Sequence, residues 1–249
     1  MPDGGHQRLH RRVAVAVCLA SAVVVLVHVG AVGARLVWQP EPGPVRDLLV
    51  SLDAGNERSL ATWWTSLVLA LGAAGSLGAA ALCTRRADLP RGTTTAWRLL
   101  AALLALLSLD EIISLHERGA DLTAAAFATG SPWRVLGWTL PGLVVLLVSL
   151  PVLVRLLRLL PPVSRRLVAA GLATSVAAAV GLELVATWLL ERGAELRWVY
   201  VAVTVEEALE LAGVTAVLLG VLVAATVECV GDGVVVRYAA LPVHTPGAG

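Results

Sequence analysis

The sequence predicts an all-α, polytopic transmembrane helix bundle of about six spans. Three observations carry this: long apolar runs, sparse charge, and arginines concentrated on alternate connections. Of the 249 residues 57% are hydrophobic and 15% charged, and the mean hydropathy is +0.81. A soluble domain carries about 25% charged residues. Here the apolar residues gather in stretches of about 20, the length a helix needs to cross the hydrocarbon core.

The spans fall at about 13–33, 61–83, 96–115, 135–157, 167–190 and 198–225. Residues 1–12 are a cytoplasmic segment, 13–226 the six-helix domain and 227–249 a cytoplasmic tail. The first span follows Arg8, Arg11 and Arg12. It is longer than the apolar region of a signal peptide and no clear cleavage site follows, so it reads as a retained helix. The second contains Gly72, Gly75 and Gly78, small residues suited to close helix approach within the chain or between copies of it. The fourth contains Pro141 and Pro151, which predict a kink. In the tail, GVVVRY has strand character, but the surrounding Gly and Pro predict a mobile end.

Orientation follows from the arginines. Twelve flank one side: Arg8, Arg11 and Arg12, then Arg85, Arg86, Arg91 and Arg98, then Arg155, Arg158, Arg165 and Arg166, with Arg237 in the tail. The other connections hold seven, interspersed with acids. The richer side is cytoplasmic by this rule, which puts both termini inside. Seven tryptophans (Trp38, Trp63, Trp64, Trp133, Trp138, Trp188 and Trp198) then fall near the outer boundary, as interfacial anchors.

Several function classes are excluded. All 19 basic residues are arginine, so no lysine Schiff base can form. A net charge of +1 gives no basic face for nucleic acid. Cys18, Cys83 and Cys229 form no Cys-x-x-Cys pair, and all fall toward the reducing side.

The acids are the informative residues. An ionised side chain at mid-membrane costs about 2.5–3.5 kcal/mol on insertion scales. The third span nonetheless ends in LSLDEIISLHERG, with Asp110, Glu111, His116 and Glu117. The fifth holds Glu183, the sixth Glu206, Glu207 and Glu210, and the first His28. At 1.5 Å rise per residue all lie in the outer half of the membrane. Glu206 and Glu210 share a helix face with Glu207 at its flank, Asp110, Ser114 and Glu117 form one stripe, and Glu183 and Thr187 another. Such stripes face the bundle interior, because lipid offers a carboxylate no partner.

Clustered carboxylates require compensation by protons, a cation or arginine, with Arg35, Arg118 and Arg192 as candidate partners. Asp110, Glu111, His116, Glu117, Glu183, Glu206, Glu207 and Glu210 are therefore a candidate cation or proton site. A divalent metal ion is the cofactor such an oxygen-rich set could hold. Three readings follow: binding or relaying a cation or protons, a metal-dependent hydrolase acting on an outer-leaflet lipid or envelope substrate, and polar groups that only pack helices. The enzyme reading lacks a signature, with no His-Glu-x-x-His, no Gly-x-Ser-x-Gly and no Glu-x-x-His. The inner halves of the spans offer no polar path, which disfavours transport. His28, alone in an apolar helix, reads as a hydrogen-bonded packing residue. SLDAGNERSLATWW reads as a solvated loop entering the second helix, capped by Ser59 or Thr62, with folding over the site as the alternative.

The segments SLDAGNERSLATWWTS, LSLDEIISLHE and EEALELAG resemble a set found in uncharacterised bacterial multi-span membrane proteins. The resemblance covers about residues 50–215 and implies the same six-helix plan with no known activity; the apolar spans themselves place the chain in the cell membrane, surrounded by lipids. It points to Asp110, Glu111, His116, Glu117, Glu206, Glu207 and Glu210.

Overall fold

The computed structural model describes residues 4–115, 118, 125–127, 137, 139–230 and 233–239. Among them are seven helices: α1 (Gly4–Trp38), α2 (Pro44–Ser51), α3 (Leu60–Cys83), α4 (Thr93–Ile113), α5 (Thr139–Arg158), α6 (Pro162–Glu191) and α7 (Leu196–Leu222). A hairpin of β1 (Ala225–Val230) and β2 (Gly233–Tyr238) follows. Four helices are long and apolar enough to cross a membrane: α1 over Arg11–Trp38, α3, α5 and α6. The other two long ones, α4 and α7, carry Asp110 and Glu111, and Glu206, Glu207 and Glu210.

Local sequence accounts for the helix ends. Ser59 caps α3, its side chain accepting from the Thr62 backbone N–H at 3.1 Å, which settles the choice between the two predicted caps. Gly92 starts α4 at a φ of 94°. Ser114 ends it in the left-handed region at a φ of 49°. The predicted stripe of Asp110, Ser114 and Glu117 therefore breaks at its second member. Pro141 lies in the first turn of α5, where no intrahelical N–H is needed, and the helix runs on through Pro151.

Two tightly packed pairs, α3 with α4 and α6 with α7, form the centre, and α1 lies against α7 and α3. The closest backbone approach is between α6 and α7. A Cβ on Gly213 would stand 2.6 Å from the Gly171 carbonyl oxygen, and one on Gly171 would stand 2.9 Å from the Val217 nitrogen. Ser164 seals the same seam, its hydroxyl donating to the Gly220 carbonyl at 2.5 Å. The predicted small-residue seam of α3 is looser. Gly72 meets only a Leu104 methyl, Gly75 a Val221 methyl, and nothing lies against Gly78.

The largest core cluster gathers at the end where α3 finishes and α4 begins. Trp97, Leu100 and Leu104 of α4 are completely buried there against Val68, Val217, Val221 and Tyr238. As far as Ala239 the tail departs from the expectation of a mobile end, and residues 240–249 lie outside the described residues. β1 and β2 pair in antiparallel register from Ala225↔Tyr238 to Val230↔Gly233. Tyr238 inserts edge-on against Trp97, with ring centroids 6.3 Å apart, and its hydroxyl accepts from the indole N–H at 2.9 Å. Burial of the single Tyr238 side chain against Trp97, together with the pairing to β1, outweighs the breaker residues around it.

Candidate functional site

The opposite end of the bundle is built differently. The connection between α2 and α3 folds inward rather than lying in solvent, and Asp53, Ala54 and Ser59 are buried. A Cβ on Gly55 would meet the Val203 side chain of α7 at 2.8 Å, so glycine lets the chain lie directly on that helix.

His28 holds this segment down. Its Nδ1 accepts from the Ala54 N–H at 2.8 Å, which leaves Nε2–H to donate to the Thr204 hydroxyl at 3.0 Å. One buried imidazole thereby joins α1, the connection and α7. The Asp53 carboxylate stands 3.4 Å from the same Nδ1 and forms an ion pair with Arg35. Burial by itself pushes the Asp53 carboxyl up. The Arg35 guanidinium and the Gly55 N–H at 3.2 Å outweigh it, and hold the carboxyl below its usual range. Arg35 is thus committed to Asp53, and Arg192 lies over the Trp188 ring, 5.4 Å from its centroid. Neither supplies the counter-charge expected of it within the acidic cluster.

Under the folded connection lies a cavity of about 250 Å³. It is lined by Ala54, Gly55 and Glu57, by Thr62 and Thr65 of α3, Glu111 of α4, Glu183 of α6, and Val203, Glu206, Glu207 and Glu210 of α7. Six carboxylates from four parts of the chain meet here. Five were candidates from sequence. The sixth, Glu57, belongs to the connection that reads in sequence as a solvated loop. It accepts a hydrogen bond from the Ser114 hydroxyl, which the left-handed turn at the end of α4 presents to it. The available signal was the acid two residues before the Ser59 cap, on the same side as the other acids.

Asp110 does not line this cavity. It borders a second one of about 270 Å³ beside it, which is predominantly apolar and is lined by residues of α3, α4, α5, α6 and α7. Glu111 and Glu210 belong to both walls. His116 and Glu117 lie outside the described residues.

Glu206 has a particular situation. It is 8% exposed, faces the acidic cavity, and among the described residues meets the like charges of Glu183, Glu207 and Glu210, with no hydrogen-bond or ion-pair partner. A buried polar group left in that state costs free energy, and a charged one far more. Among the described residues, no three His, Cys, Asp or Glu side chains are disposed to hold one metal ion. The carboxylates are spread around the wall of a chamber rather than converging on a point.

No curated protein and no solved structure matches the chain. The model of a domain of unknown function, DUF8692, matches residues 13–225, and the chain belongs to that family.

Proposed function

We propose that the protein spans the membrane six times with both termini in the cytoplasm, and that the acidic cavity binds a cation on the outer side. One observation carries the reading: Glu206 is buried, partnerless and aimed into a chamber walled by five further carboxylates. Holding the Glu206 carboxylate out of water with no partner among the described residues is costly in a bilayer unless counter-charge is supplied. A bound cation supplies it. The arginine bias of the connections supports the orientation. The apolar packing around Trp97, Leu100 and Leu104 supports a one-sided site over a conduit.

The spread of the carboxylates favours a bulky organic ammonium over a bare divalent ion. Magnesium demands near-ideal octahedral oxygen ligation at about 2.0–2.1 Å. An ammonium spreads its charge and is satisfied by several carboxylates at larger distances. Calorimetry on the purified protein in mild detergent, with tetramethylammonium and with magnesium, tests this. Saturable tetramethylammonium binding, lost in the Glu206→Gln/Glu210→Gln variant and stronger than magnesium binding, is the expected result. No saturable binding of either ion, or binding that survives the double substitution, overturns it.

A further inference from the structure

The two cavities share a wall and differ in chemistry. The acidic one has a predominantly polar lining, whereas the other is predominantly apolar and meets it at Glu111 and Glu210. Along α7 the apolar cavity runs from Glu210 past Val214 to Val217, seven residues or about 10 Å at the helical rise. It therefore extends away from the charged end into the depth of the bundle. Each cavity lies just below the usual volume of a small-molecule pocket, roughly 300–1,000 Å³, and together they fall within it. Helix α5 closes the apolar cavity with Gly142 and Leu146, yet its only buried residues, Thr139 and Leu156, are near its two ends. The middle of α5 is thus a wall held at both ends and lightly packed between them.

We infer that the ligand is a cationic amphiphile, its ammonium head among Glu206, Glu207 and Glu210 and its aliphatic tail in the apolar cavity behind Glu210. This rests on the cation reading above and names the ligand class. Charge complementarity selects the head, and the unpartnered Glu206 is the group it satisfies. The tail gains from leaving water by about fourfold in affinity for each buried methylene. A free small cation would leave the second cavity unused, and a neutral lipid would leave Glu206 uncompensated.

The test compares tetramethylammonium with alkyltrimethylammonium ions of increasing chain length, below their micellar concentrations, on the full chain in zwitterionic nanodiscs. Binding to the Glu206→Gln/Glu210→Gln variant is subtracted as partition into the bilayer. The expected result is affinity rising at least 100-fold from the methyl to the decyl compound. In Ala179→Trp, which fills the tail compartment from α6, that ratio should fall tenfold or more. Leu146→Trp does the same from α5 and serves if the first variant fails to fold, with retained tetramethylammonium binding as the check on folding. Equal affinity along the series, or a chain-length advantage surviving both tryptophan variants, overturns the amphiphile and leaves the cation site standing. No specific binding of any member, tetramethylammonium included, removes both.

Discussion

The two ends of the bundle solve the burial of polar groups in opposite ways. At the end formed by Trp97, Cys83 and Tyr238, the buried polar atoms find partners. Ser76 donates to the Gly72 carbonyl at 2.8 Å, Ser164 to Gly220 at 2.5 Å, and Trp97 to Tyr238 at 2.9 Å. At the acidic end Glu206, among the described residues, faces like charge alone. The first arrangement stabilises the fold, whereas the second costs stability unless something else is bound. A bundle that satisfies its buried polar groups elsewhere and leaves Glu206 facing like charge, with no partner among the described residues, points to function at the acidic end.

Substitutions at the two ends should therefore differ in sign. Leu100→Ala, at a completely buried position, should lower stability by about 2–5 kcal/mol, read from denaturant unfolding in mixed micelles. Glu206→Gln should leave stability unchanged or raise it in the ligand-free protein, since it removes one of several mutually repelling charges. A loss at Glu206→Gln as large as at Leu100→Ala would erase the distinction.

His28 occupies an intermediate position, because it belongs to the acidic end but is fully satisfied. His28→Ala strands the Ala54 N–H and should cost about 1–3 kcal/mol. The readout is faster amide exchange at Ala54 and Gly55, with the α6–α7 seam unaffected. Exchange rising equally in α7 around Gly213 would mean that His28 supports the whole bundle rather than the covering segment.

A smaller effect is expected from pH. The Asp53 carboxyl is held below its ordinary value of 3.8, so its contribution is present above that pH and is lost as pH falls through the lower folded value. The covering segment should open in strongly acidic solution, below about pH 4, and Asp53→Asn should remove that step. Amide exchange at Gly55 as a function of pH reads both.

The sequence made the helical architecture legible because apolar run length and bilayer thickness are one physical constraint. It also marked Glu111, Glu183, Glu206, Glu207 and Glu210, because an acid within an apolar run is conspicuous. Glu57 was hidden because a charged residue in a polar connection is ordinary, and nothing local reveals that His28, 29 residues earlier, pulls that connection inward. The β-hairpin was missed for a related reason. The Gly and Pro around GVVVRY speak for disorder, and only the long-range contact of Tyr238 with Trp97 overrides them. Gly72, Gly75 and Gly78 of α3 mark a close helix approach in the sequence, but the closest one is elsewhere. It lies at Gly171 and Gly213, whose partnership spans two helices and leaves no local spacing signal.

The most direct test of the central claim is a double-mutant cycle on stability between Glu57→Gln and Glu207→Gln, one in the covering segment and one on α7, both on the wall of the acidic cavity. If the carboxylates share one chamber, neutralising either relieves repulsion felt by the other, and the two effects fall short of additive by about 0.5–3 kcal/mol. Additive effects would mean that the two groups do not meet, and that the acidic cavity is not a single site.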